Sequence, residues 1–138
     1  MLYPIAIETG EGHEAYGVVF PDLPGCFSAG DSLDEALINA QEAANFYLED
    51  LAESGKLPPE ASSLADCQQM KEYQGWAWAV IVVDIEPYMG KASKINVTLP
   101  NLLTKQIDNC VEVSTEYKSR SHFLQVAALH ELSKASGV

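Results

Sequence analysis

The sequence predicts an α+β protein in which a strand-strand-strand-helix-strand half precedes a strand-helix-helix half. Three observations carry this expectation. In the first 90 residues, short β-branched runs bounded by glycine and proline surround one long helical period. The remainder opens on a strictly alternating run and continues with two further helical patterns. The charge also changes sign: residues 1–90 hold two lysines against sixteen carboxylates, a net of −14, whereas residues 91–138 hold six basic residues against four carboxylates, a net of +2. Such an asymmetry suggests two modules with different partners, and we divide the chain into residues 1–88 and 89–138, with Pro87 to Ala92 as the linker.

Tyr3 to Glu8 is apolar and β-branched, the glycines of Thr9-Gly10-Glu11-Gly12 supply a turn, and Tyr16 to Phe20 follows, so a hairpin is expected. Pro21-Asp22-Leu23-Pro24-Gly25 breaks the second strand, and a short third strand runs from Cys26 to Ala29. Ser32-Leu33-Asp34-Glu35 then fits a capping box, with the serine hydroxyl taking the amide of the third helical residue and the glutamate reaching back to the serine amide. Leu33, Ala36, Leu37, Ala40, Ala44, Tyr47, Leu48 and Leu51 recur at helical spacing behind it, which predicts one long amphipathic helix on a sheet. Ser54 to Pro59 ends the helix, and the polar stretch to Gln74 is expected to be loop. Trp76 to Asp84 has the length and composition of a central buried strand, with Trp76 and Trp78 on one face and expected in the core.

In the second half, Lys94-Ile95-Asn96-Val97-Thr98-Leu99 places Ile95, Val97 and Leu99 on one face and Lys94, Asn96 and Thr98 on the other. Pro100 stops the strand, and a helix with Leu102, Leu103, Gln106, Ile107, Cys110 and Val111 at helical spacing follows. Ser119-Arg120-Ser121 caps a second helix that carries Phe123, Leu124, Ala127, Ala128 and Leu132. One strand and two helices bury too little surface to stand alone, and a lone strand leaves its backbone groups unpaired. An antiparallel ribbon across a two-fold axis solves both problems, with Ile95, Val97, Leu99, Leu103, Ile107, Phe123 and Leu124 forming the core of a homodimer. Whether dimers pair into tetramers is left open by the sequence.

Several classes are excluded or disfavoured. The chain is 47% hydrophobic and 20% charged, ample for a core. Its longest apolar run, Trp76 to Val83, is far short of the roughly 20 residues of a membrane span, and no secretory signal opens the sequence, so the cytoplasm is the expected address and no membrane partner is expected. Cys26, Cys67 and Cys110 are odd in number and widely spaced, which disfavours disulfides and zinc knuckles. His122 and His130 are not at ligand spacing and His13 lies in the other half, so no metal and no cofactor is expected. Asp22 and Asp84 are the carboxylates a two-metal nuclease would recruit, but no converging set accompanies them and no catalytic residues are assigned.

A strand of the form Lys-Ile-Asn-Val-Thr-Leu-Pro, a helix, a turn and Ser-Arg-Ser-x-Phe-Leu resembles a ribbon-helix-helix repressor over Ser93 to Lys134. Tyr3-Pro-Ile, the Pro21-Asp22-Leu23-Pro24-Gly25-Cys26 turn and Gly30-Asp31-Ser32-x-x-Glu35-Ala36 resemble the HicB-type antitoxin domain. One departure is the absence of glycine between Val111 and Lys118, where many ribbon-helix-helix turns carry one. The resemblance implies that the acidic half has a truncated RNase-H-like fold and binds a small basic HicA-type, mRNA-cleaving ribonuclease toxin. It also implies that the tail binds operator DNA and represses its own operon. Lys94, Asn96 and Thr98 are then the base-reading residues of a ribbon in the major groove, and Ser119, Arg120 and Ser121 position the phosphate backbone. Asp22, Asp31, Asp34 and Glu35 are the carboxylates we assign to toxin binding. Two alternatives stay open: a ligand-sensing ribbon-helix-helix regulator without a toxin, and an RNase-H-like hydrolase tethered to DNA.

Overall fold

A computed structural model describes residues 1–9 and 15–135, so Gly10, Gly12 and His13 lie outside the described residues. The chain forms two compact units, Met1–Lys91 and Ala92–Val138. Unit 1 contains four strands, β1 (Leu2–Glu8), β2 (Tyr16–Val19), β3 (Phe27–Gly30) and β4 (Ala77–Val82), and the helices α1 (Leu33–Glu53) and α2 (Leu64–Gln68). Unit 2 contains α3 (Asn101–Val113) and α4 (Arg120–Ala135).

The sheet is antiparallel throughout, in the order β3-β2-β1-β4, with Ala6 opposite Val19 on one side and Trp78 on the other. α1 covers one face. Its inward positions Ala36, Ala40, Ala44 and Leu48 are fully buried against Tyr3, Ile5, Val18 and Val83. Three alanines at a spacing of four remove side-chain bulk along that stripe, and the helix settles close to β3. Gly30 shows how close: a methyl group there would lie 2.4 Å from the Ala36 amide nitrogen. Asn39 Nδ2 donates to the Ala29 carbonyl at 2.8 Å, and Ser28 Oγ donates to the Ala36 carbonyl at 3.1 Å, tying the same two elements.

The capping box forms with one change of partner. Ser32 Oγ accepts from the Glu35 amide at 3.1 Å, but the Glu35 carboxylate accepts from the Asp31 amide at 3.2 Å and not from that of Ser32. The second strand ends one residue earlier than expected, at Val19.

Three further expectations require correction. β4 is an edge strand, not a central one. Its residues alternate between the α1 face, which takes Ile81 and Val83, and the opposite face, which takes Trp78, Val80 and Val82. Trp76 and Trp78 are therefore outside the core; both are half-buried and meet Tyr73 edge-on, with ring centroids 5.2 and 5.8 Å apart. The expected loop between α1 and β4 contains α2, which starts where Ser63 Oγ accepts from the Asp66 amide at 3.1 Å and which buries Cys67.

In unit 2, residues 92–100 form neither helix nor paired strand. A ladder is defined by its partner, and one copy of the chain supplies none. α3 ends without a glycine because Ser114 takes an extended conformation (φ −102°, ψ 138°) and needs no left-handed residue. The turn is then held by side chains, with Ser114 Oγ accepting from the Glu116 amide and His122 Nδ1 from the Lys118 amide.

Candidate functional site

Two surfaces bear on function, one on each unit. On unit 2, Lys94, Asn96 and Thr98 are exposed, as the alternation requires, but so are their apolar neighbours: Ile95 is 79% exposed and Val97 is 60% exposed, while Leu99 is half-buried. Ile107 is buried, Phe123 and Leu124 are half-buried, and Leu103 is exposed. Phe123 packs edge-on against Tyr117 at 4.8 Å between centroids. A single copy thus satisfies only part of the apolar set assigned to the shared core.

Ser119 is the N-cap of α4: its Oγ accepts from the His122 amide at 3.1 Å and its carbonyl accepts from the Phe123 amide at 3.0 Å. Ser121 stands exposed in the first turn. Arg120 does something the sequence did not announce. Its Nε and an Nη donate to the two oxygens of Asp108 at 2.9 and 2.7 Å, a bidentate pair joining α3 to α4. Those hydrogen bonds hold the Asp108 carboxyl below its ordinary value and raise the guanidinium further.

On unit 1 the four assigned carboxylates have diverse duties. Asp22 is half-buried and accepts from the Ser62 amide and hydroxyl at 2.9 and 2.6 Å, which pins the segment before α2. Glu35 closes the α1 cap, and Asp31 supplies the amide it accepts from. Asp34 is exposed in the first turn, where a carboxylate complements the helix dipole. Asp31, Asp34 and Glu35 lie at the start of α1 and Asp22 in the turn that precedes β3, and local hydrogen bonds engage the carboxylates of two of them, Asp22 and Glu35.

The outward side of α1 has a different character. Glu35, Ile38, Glu42, Phe46, Glu49 and Glu53 succeed one another at spacings of three or four, so they line one face. Ile38 is 62% exposed and Phe46 is 71% exposed. Between α1 and the β3 edge runs a shallow groove of about 350 Å³ lined by Phe27, Ala43, Phe46, Tyr47 and Asp50, with Phe27 itself 63% exposed. Sequence reading missed Ile38 and Phe46, and their signal was available: they are apolar residues that fall off the buried stripe of an otherwise regular amphipathic helix.

Among the described residues no group of three or more His, Cys, Asp or Glu side chains is placed to hold a metal. Cys26 and Cys67 are buried, and burial pushes the Cys26 thiol up to about 11. Among the described residues no helix is long and apolar enough to cross a membrane.

Comparison with known proteins places this architecture. Residues 3–128 match the family of HicB-like antitoxins of bacterial toxin-antitoxin systems. An uncharacterised 14.9 kDa protein from the rep-hol intergenic region of Haemophilus phage HP1 is 43% identical over 135 residues, covering 98% of this chain and 100% of that protein. The crystal structure of the Burkholderia pseudomallei antitoxin HicB superposes with a TM-score of 0.75 at 36% identity, covering 96% of this chain and 98% of that one. A chain of a HicA3–HicB3 toxin-antitoxin complex is 30% identical with a TM-score of 0.51, covering 61% of this chain and 99% of that one. With a family match that spans most of its length, this chain belongs to the HicB-like antitoxins of bacterial toxin-antitoxin systems.

Proposed function

We propose that this chain neutralises a HicA-type, mRNA-cleaving toxin through residues 1–88 and represses the shared operon through residues 89–138, without catalysis of its own. The acidic unit is read as a truncated RNase-H-like fold serving as a binding scaffold, and the tail as a ribbon-helix-helix homodimer. Family membership and the relative seen in a HicA3–HicB3 complex support the first part. The observation that carries the second is the run Ser93 to Leu99, which has no ladder partner within one copy and leaves Ile95 and Val97 in solvent. An apolar, alternating segment of this kind is completed by a second identical strand.

In the resulting dimer Lys94, Asn96 and Thr98 of both chains face the major groove and read base edges. Ser119, Arg120 and Ser121 stand at the start of α4, where first-turn amides have no partner inside the helix and suit a phosphate. Residues 1–90, at −14, repel DNA and attract a basic ribonuclease, so the two partners are sorted by charge.

The test is a separation of functions in cells carrying the adjacent HicA-type toxin gene and a reporter behind the operon's promoter. Wild-type protein should relieve growth arrest and silence the reporter. Val97→Asp places a charge in the shared apolar core, so repression should be lost and the chain should sediment as a monomer while unit 1 still protects growth. Failure of the wild type to relieve toxicity overturns the antitoxin reading; a Val97→Asp protein that remains dimeric and repressing overturns the ribbon.

A further inference from the structure

We propose that the outward face of α1, centred on Phe46 and the groove between Phe46 and Phe27, is the surface on which the basic toxin docks. This inference rests on the antitoxin reading above and moves the contact from the start of the helix to its middle and end.

Phe46 is a large aromatic side chain 71% exposed on the most regular element of the chain, and its neighbour Phe27 is exposed across the groove. Ile38 stands two helical turns earlier on the same face, about 12 Å away at 1.5 Å per residue. Exposed aromatic and aliphatic anchors of this kind, set in a polar rim, are the usual makings of a protein-binding surface.

The rim identifies the occupant. α1 carries six carboxylates, Asp34, Glu35, Glu42, Glu49, Asp50 and Glu53, and no basic residue. Glu42 separates the two anchors, and Glu49 and Asp50 flank Phe46. Among the described residues no ion pair neutralises Glu42, Glu49 or Asp50. The helix itself gains nothing from the last three: a C-terminal end favours cations, and here Glu49, Asp50 and Glu53 oppose the macrodipole with no basic residue in the last turn. Apolar anchors interleaved with uncompensated negative charge fit a protein surface that offers lysines and arginines around an apolar contact. A nucleic acid is repelled by the same field. A second copy of unit 1 would set like charges against each other.

The carboxylates then act mainly on encounter, and the apolar anchors on residence. Binding of the full-length chain to the toxin encoded beside it, carried in a catalytically dead form, tests this by surface plasmon resonance. Because Phe46 is exposed, Phe46→Ala should leave the melting temperature unchanged while raising the dissociation constant at least tenfold, chiefly through faster dissociation. Glu42→Gln with Glu49→Gln should slow association severalfold at 50 mM salt, with the difference shrinking at 500 mM. Val82→Ser, on the opposite face of the sheet, should bind like wild type. If Phe46→Ala binds within twofold of wild type, the docking face is elsewhere, and a loss in Val82→Ser alone moves it to the far side of the sheet. If the wild type itself does not bind, the antitoxin reading fails and this inference falls with it.

Discussion

Gly30→Ala tests the closeness of α1 to β3 on which the shape of the groove depends. The added Cβ would meet the Ala36 nitrogen at 2.4 Å, the Ala36 Cα at 2.8 Å and the Glu35 carbonyl carbon at 2.8 Å, whereas real Cβ contacts essentially never fall below 3.0 Å. All three are backbone atoms in the first turn of the helix, so no rotamer change relieves the clash, and α1 must move off β3 by more than half an ångström. That shift stretches the Asn39–Ala29 and Ser28–Ala36 hydrogen bonds. Overpacking of this kind costs about 1–3 kcal/mol, and an obstacle made wholly of backbone places the expected cost near about 3, a shift of roughly a hundredfold in the folding equilibrium. Urea unfolding followed by tryptophan fluorescence isolates unit 1, because both tryptophans, Trp76 and Trp78, belong to it. Gly25→Ala is the matched control: its φ of +87° makes any side chain strained, but nothing lies within 4 Å of the added atom. The control should lose about 1 kcal/mol, in the range of the left-handed backbone penalty. A Gly30→Ala protein no less stable than Gly25→Ala would refute the close approach.

Two pH responses follow from the ionisable groups. Burial raises the Cys26 thiol from 9.0 to about 11 and also raises the Tyr3 hydroxyl above its ordinary 10.0, so the folded chain keeps protons that the unfolded chain releases; the Cys26 share of stability is whole below pH 9 and is lost as pH rises through about 11, and the Tyr3 share begins to be lost only above pH 10. The urea midpoint of unit 1 should fall across that window, less steeply in Cys26→Ala, and an unchanged slope in the variant refutes the part assigned to Cys26. Asp108 behaves oppositely: its carboxyl is held below 3.8 by Arg120, so the interhelical clamp is present above that value and is lost as pH falls through the lowered one. The NMR resonance of the Arg120 Nε–H should move toward its position in Asp108→Asn with a midpoint below 3.8, and a midpoint at or above 3.8 refutes the clamp.

The elements legible in the sequence were those whose determinants are local. The α1 start was readable because Ser32 and Glu35 act within one turn, and the strands β1 and β2 because alternation and flanking glycine or proline lie within a few residues. The misreadings concern neighbours distant in sequence. Whether Trp76 to Asp84 is central or edge depends on which strands pair, and an apolar, β-branched run serves in either place. Trp76 and Trp78 took the face away from α1 because Tyr3, Ile5, Ile81 and Val83 already fill the other. α2 is only five residues long, too short for its period to stand out, and its position depends on the Asp22–Ser62 hydrogen bonds forty residues apart in the chain. Arg120 and Asp108, twelve residues apart, meet only after the turn folds.

The candidate surfaces divide along the same line. Charge pointed to unit 1, but a carboxylate near a helix start is ambiguous: capping and partner binding select the same residue types at the same positions, and here Glu35 and Asp22 are engaged within the fold. Carboxylates near a helix end are less ambiguous, because the dipole disfavours them and folding offers no return for Glu49, Asp50 and Glu53. Apolar residues follow the same logic. Ile95 and Val97 in unit 2, and Ile38 and Phe46 in unit 1, are exposed although each is a large apolar side chain. Side chains that contribute little to the fold of one copy are the ones we assign to contacts with other molecules, proposing a second strand for the first pair and a basic protein for the second.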